Sequence, residues 1–285
     1  MEITAALVKQ LRDMSGVAMM DCKKALVECE GDLDNALDLL RSNSALKAEK
    51  KASRIAADGI LKTFVGEEYA TIVEINSETD FAAKDSQFIG FADEVANFIS
   101  KNVVEDISAI HESEIETKRN ALVQSIGENI QIRRVETVKY ESSVNIGLYI
   151  HSDSKLATVV VLEGGNQDLA KDIAMHVAAT NPICLSQDQI NKDILEREKA
   201  IYLTQAKESG KPQEIMDKIV EGKLKRFLSE VSLISQPFVK DPDTTIETLL
   251  NTNSAKIQSY SRLKVGEGIE VETKNFADEV AEQLK

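Results

Sequence analysis

The hydrophobic period of this chain changes at Gly59, and that change limits the folds open to it. Before Gly59, apolar residues recur at helical spacing. Leu7, Val8 and Leu11 share one face; Met19, Met20, Cys22, Ala25, Leu26 and Cys29 form a second stripe; Leu33, Ala36, Leu37 and Leu40 form a third. After it, Leu61 to Asn76 reads LKTFVGEEYATIVEIN, a run of β-formers around Gly66-Glu67-Glu68 that predicts a hairpin. Helices first, then strands and helices mixed, predict an α+β chain.

Ser15-Gly16 and Gly31 punctuate the first three helices, and Asp32 is a candidate N-cap for the third. Each is too short to persist alone in water, so they are expected to form a small N-terminal three-helix bundle. A charged helical linker is expected over Ser44 to Ala57, with the basic run KAEKKASR, Lys47 to Arg54, as its polar surface. Beyond ETDFAAKD (Glu78 to Asp85), the residues Phe88, Phe91, Ala92, Val95, Phe98 and Ile99 lie on one helical face. A second pass through the plan is expected from Ile130. IQIRRVETVKY, VNIGLYIH and KLATVVVLEGG read as strands, followed by a helix with Leu169, Ile173, Val177 and Ala178 inward. FADEVANFI matches KDIAMHVAA loosely, so the core is expected to be a duplicated antiparallel sheet-plus-helix unit.

From Ile183 to Arg226 the chain is charged and helical, broken at Glu208-Ser209-Gly210-Lys211-Pro212. This predicts an inserted antiparallel helical hairpin that projects as an arm. QPF (Gln236 to Phe238) and KDPD (Lys240 to Asp243) return the chain to the core, and a last helix is expected over Phe276 to Leu284, after Gly266 and Gly268. The expected domains are residues 1–54, the bundle; 55–140, the first core half; 141–182 with 229–263, the second; 183–228, the arm; and 264–285, a C-terminal module.

The formal net charge of −14 repels phosphate backbones, which argues against general nucleic-acid binding. No apolar run reaches the ~18 residues of a membrane span, and the start is a charged amphipathic helix, not a signal peptide. Cys22, Cys29 and Cys184 have neither an even count nor CxxC spacing, as expected of a cytoplasmic protein in a reducing compartment. There is no phosphate-binding glycine loop. His111, His151 and His176 lack metal-ligand spacing, and His176, in an apolar helix, reads as a core histidine. No catalytic residue, metal or cofactor is therefore expected, and the chain reads as a binding protein, not an enzyme.

Phe81 is the residue that this reading leaves open. A lone Phe is more often core than surface, yet Phe81 lies outside the Phe88–Ile99 stripe and has acids around it. Asp80 is expected to cap the helix start at FAAKD, with contact to a partner as its other reading. Of Met19 and Met20, one is expected to be buried in the bundle, and methionine also suits an adaptable contact surface.

Several stretches together resemble bacterial elongation factor Ts. They are LVKQLRDMSGVAMMDCKKAL (Leu7 to Leu26), AADGI (Ala56 to Ile60), TDFAAKD (Thr79 to Asp85), IGENIQIRRV (Ile126 to Val135), IAMHVAA (Ile173 to Ala179), SGKP (Ser209 to Pro212), SLISQPFV (Ser232 to Val239) and VGEGIE (Val265 to Glu270). They span nearly the whole chain in the family's order. Ala82 stands where the family's form carries Val, and Lys101 to Lys118 shows no clear match.

The resemblance implies a guanine-nucleotide exchange factor for elongation factor Tu, acting in translation elongation without covalent chemistry. It implies that the N-terminal bundle is ubiquitin-associated-like and contacts the nucleotide-binding domain of Tu, with Met19 and Met20 at the surface. It implies that Thr79, Asp80, Phe81 and Ala82 form the segment that dislodges Mg²⁺ from Tu, with Asp80 and Phe81 reaching between its helices. His151 would lie at the partner surface. The arm would be a coiled coil serving self-association or Tu contact, and the C-terminal module would also touch Tu. The competing reading is a helical adaptor that binds a protein partner without nucleotide exchange.

Overall fold

The computed structural model describes residues 3–141, 143–208 and 212–270. Helix α1 (Ala5–Ser15) begins where Thr4 Oγ1 accepts from the Leu7 amide and ends at Gly16 in the left-handed region, φ 69°. Helix α2 (Met19–Glu28) follows, then α3 (Leu33–Lys51), whose cap Asp32 accepts from the amides of Asp34 and Asn35. Leu11, Val17, Cys22, Leu26, Ala36 and Leu40 meet as the core of this bundle. The expected linker is largely the second half of α3. Ser44 and Ala48 are buried, and Ser44 Oγ donates to Gln124 Oε1 at 2.6 Å, so tertiary contacts carry the third helix on to Lys51.

Strands β1 (Asp58–Val65) and β2 (Tyr69–Ser77) form the antiparallel hairpin around residues 66–68. A one-turn helix α4 (Asp80–Ala83) leads into α5 (Ser86–Lys101), which buries Phe88, Phe91, Ala92, Val95 and Ile99. Two helices, α6 (Ser108–His111) and α7 (Glu114–Ile126), lie where no element is expected. Strand β3 (Gln131–Lys139) then pairs antiparallel with β2. This corrects the strand assignment: IQIRRVETVK closes the first sheet and does not open a second pass. The chain returns across three helices to the far edge of β2, and strand order β1-β2-β3 results.

The second sheet has the same plan. Strands β4 (Val144–Ile150) and β5 (Leu156–Gly164) pair, and helix α8 (Gln167–Thr180) covers them. The chain leaves through α9 (Lys192–Glu208) and α10 (Gln213–Val231), the two helices of the arm, which pack on each other. It returns through a small ribbon, β6 (Pro237–Phe238) with β7 (Asp241–Thr245), and helix α11 (Ile246–Thr252). Strand β8 (Ala255–Lys264) pairs with β5, giving order β4-β5-β8. Register shifts fall at Glu74/Ile75 in β2 and at Val161/Leu162 in β5, the sixth and seventh residues of each strand. The expected helix Phe276–Leu284 lies outside the described residues.

The two sheets face each other. Leu61, Ala70 and Ile72 of one meet Ala157, Val159 and Leu263 of the other. The alternate residues Val73 and Ile75 turn outward to α5 and α7, while Val160 and Leu162 turn to α8. Both central strands are thus buried on both faces, which is why they read as continuous apolar runs. Glu74 interrupts the first run. Its carboxylate is fully buried, receives Arg133 at 3.1 Å and Arg134 at 2.5 Å, and accepts from the Gly266 amide at 2.8 Å. Pairing on every side is what makes a buried charge tolerable, and here it fastens the end of β8 to the first sheet.

Candidate functional site

The turn after β2 is organised by Thr79. Its backbone is extended (φ −126°, ψ 158°), and its Oγ1 accepts from the Ala82 amide at 3.2 Å. Thr79 is therefore the N-cap of α4, and the expectation that Asp80 caps this helix is corrected. Asp80 already has helical backbone as the first residue, so its carboxylate is free to face Lys84 one turn on, with Nζ to Oδ2 at 2.6 Å. That hydrogen bond is the main cause holding the Asp80 carboxyl below the ordinary range and the Lys84 ammonium above its own.

Helix α4 buries Ala82 and Ala83 and turns Phe81 outward, where the ring is 82% exposed. Its sequence neighbour in type, Phe88, is fully buried in the first core. An apolar ring left in water forgoes roughly 1.5–3 kcal/mol of burial. The turn that holds it there is tied down on both sides. Thr79 N and Oγ1 donate to Glu128 Oε2 and Oε1 at 3.0 and 2.7 Å, while the Asn129 amide donates to Glu78 Oε1 at 2.6 Å. Asn129 Nδ2 also donates to Arg54 O at 2.7 Å, adding the segment that follows α3.

Met19 and Met20 open α2 and are 39% and 65% exposed. Neither is buried in the bundle, contrary to expectation, because Val17, Cys22, Ala25 and Leu26 fill that side. Their helix is fixed to the rest of the protein by Asp21, whose Oδ2 accepts from Gln124 Nε2 at 2.7 Å and lies 3.3 Å from Lys47 Nζ. The Gln124 bond is the first cause of the lowered Asp21 carboxyl pKa. Gln124 and Glu128 were not singled out from the sequence. The available signals were Ser113-Glu114-Ile115-Glu116, a cap followed by Glu at the third helical position, and Gly127, a helix stop.

His151 is exposed on the β4–β5 turn, with Nδ1 2.8 Å from Asp153 Oδ1. Ser154 O accepts from the Leu61 amide at 2.8 Å, and Lys155 Nζ lies 2.8 Å from Asp58 Oδ1. Lys155 also lowers Asp80 electrostatically. The His151 turn is thus docked on β1 through Lys155 and Asp58. Among the described residues, no group of three or more His, Cys, Asp and Glu side chains is placed to hold a metal ion, and no helix is long and apolar enough to cross a membrane. What the site offers is a set of exposed apolar side chains on braced supports.

Comparison with known proteins bears on what those side chains meet. The family model described as elongation factor TS matches residues 78–267. The elongation factor Ts of Hahella chejuensis is 48% identical over 285 residues, covering 99% of this chain and 99% of that protein. That of Alkalilimnicola ehrlichii is also 48% identical, over 293 residues, with 100% and 99% covered. That of Francisella tularensis subsp. novicida is 47% identical over 289 residues, with 99% of each covered.

Proposed function

The chain belongs to the elongation factor Ts family, a family of translation elongation factors, and from that premise we propose that it binds elongation factor Tu and promotes release of its GDP. The observation that carries this reading is Phe81, an exposed aromatic ring on a turn that three hydrogen bonds, two from Thr79 to Glu128 and one from the Asn129 amide to Glu78, hold in place.

Exchange needs no catalytic residue. A GTPase holds its nucleotide by backbone amides and a lysine around the phosphates, with Mg²⁺ held by Ser/Thr and Asp. A factor that binds the empty form better than the filled form weakens the nucleotide by the same ratio. Burying Phe81 between helices of Tu that have moved apart supplies roughly 1.5–3 kcal/mol in the displaced state only. That corresponds to about tenfold to hundredfold in nucleotide affinity. The displacement removes the Mg²⁺ ligands from their places, with Thr79, Asp80 and Ala82 presenting the ring.

Met19 and Met20 on the bundle and His151 on the β4–β5 turn would be further Tu contacts. The arm exposes Ile201 and Ile215, which suits a role in self-association or in Tu contact. The bundle, the two core halves and the C-terminal module would then share one task, to carry separate contacts onto Tu in the cytoplasm. Release of fluorescent GDP from purified Tu, with and without the chain, tests the reading. Acceleration at substoichiometric amounts is the expected result. Binding to Tu with no acceleration would replace it with the adaptor reading.

A further inference from the structure

We infer that Glu128 is a positioning residue for Phe81, bracing the N-cap of α4 from a remote loop; its functional consequence rests on the exchange reading above. Helix α4 has four residues, far too few to persist without outside support. In a self-sufficient helix start, a Glu or Gln at the third helical position reaches back to the amide of the cap residue. Here that position is Ala82, which has no group to offer. The Thr79 amide and hydroxyl are instead both taken by the Glu128 carboxylate, one on each oxygen, at 3.0 and 2.7 Å.

The contact is reciprocal. Glu78, just before the cap, accepts from the Asn129 amide, just after Glu128. Two short loops therefore exchange carboxylate-to-amide bonds, and sliding one along the other would break both. Glu128 reaches Thr79 because α7 stops at Gly127, whose φ of 88° redirects the chain at once. One turn earlier on the same helix, Gln124 holds Asp21 beside Met19 and Met20. The end of α7 thus ties the support of the exposed methionines to the support of the exposed ring.

The test combines Glu128→Ala and Glu128→Gln with Phe81→Ala, measuring maximal GDP release at saturating factor, thermal midpoint and exchange of the Thr79 amide proton. Loss of the brace is expected to lower the maximal rate about threefold to tenfold with the Phe81 ring present, and to add nothing once Phe81→Ala has removed it. Glu128→Gln should recover at least half of the rate, because its amide oxygen still accepts one of the two bonds. An equal loss in both backgrounds, or no loss, overturns the inference, as does a midpoint drop that tracks the whole rate loss. Should the wild-type chain accelerate nothing, the exchange reading falls by itself. The Thr79 amide then decides the bracing: slow exchange freed by Glu128→Ala supports it, and unchanged exchange overturns it.

Discussion

The two halves of the core share strand order, a helix over the outer face and a register shift at the same place in the central strand, yet they differ at every connection. After β2 the chain makes an eight-residue detour, Glu78 to Asp85, that displays Phe81. After β5 it turns directly through Gly164, Gly165 and Asn166, with Asn166 capping α8. Between helix and third strand, the first half inserts α6 and α7 and the second inserts the arm. The helix contacts differ as well. Gly147 and Lys62 occupy matching places, opposite Val160 and Val73. A Cβ on Gly147 would stand 1.9 Å from the Ala170 carbonyl oxygen, so α8 lies directly on β4. Lys62 instead reaches Asp93 of α5 at 2.5 Å. A common frame supports both halves, and Phe81, proposed to meet the partner, lies on a connection that differs between them.

The largest effect expected from this comparison is on stability. Replacing Phe88, fully buried under α5, with Ala should cost about 3–5 kcal/mol in denaturant unfolding. Phe81→Ala should change stability by no more than about 0.5 kcal/mol while lowering GDP release from Tu. Similar stability losses for the two would erase the distinction between core ring and displayed ring. A smaller effect separates the two helix seats. Gly147→Ala must push α8 off β4 and should cost about 1–3 kcal/mol, against less than about 1 kcal/mol for Lys62→Ala, which removes a partly exposed ion pair. Equal midpoints for these variants would mean that the helices are seated alike.

The smallest expected effect concerns pH and is confined to the second half. His176 is buried, with Nδ1 accepting from the Val239 amide at 3.2 Å and Nε2 2.9 Å from Gln236 Oε1. The ring is therefore neutral with its proton on Nε2, and burial lowers its pKa below the ordinary 6.5. The unfolded chain binds the proton first as pH falls. Stability from the neutral ring is complete above about 6.5 and declines below it, down to the lowered folded value. The thermal midpoint should fall between pH 7.5 and 5, and His176→Asn should flatten that slope. Asp21, Asp80 and Asp153, with lowered pKa values, lose their contribution only further down, in the carboxylate range. An unchanged slope in the variant would show that His176 does not carry it.

Local pattern made much of this legible. Apolar periodicity marks α1 to α3, α5 and α8, and Ser15-Gly16 and Gly31 mark where the first helices stop. Pairing was not legible, because β3 lies next to β4 in sequence but beside β2 in space. The buried Glu74 takes part in that pairing, with its carboxylate held by Arg133 and Arg134 of the neighbouring strand, a contact that no local pattern announces. Helix α7 was obscured by its charged first half, where Lys118 faces Glu94 and Glu114 at the surface and Ile115 is the one apolar residue before Ala121. At the site, Thr79 and Asp80 are both good capping residues, and local chemistry cannot rank them. The choice is made by Glu128, distant in sequence, which orients Thr79 and leaves Asp80 to Lys84.

The most direct test of the central claim is the affinity of the wild-type chain and its Phe81→Ala variant for two forms of Tu, nucleotide-free and GDP-bound. If the ring is buried only after Tu's helices have moved, the variant should bind nucleotide-free Tu about tenfold to hundredfold more weakly and GDP-bound Tu almost as well as wild type. Equal weakening for both forms would make Phe81 an ordinary contact and contradict its burial in the displaced state alone.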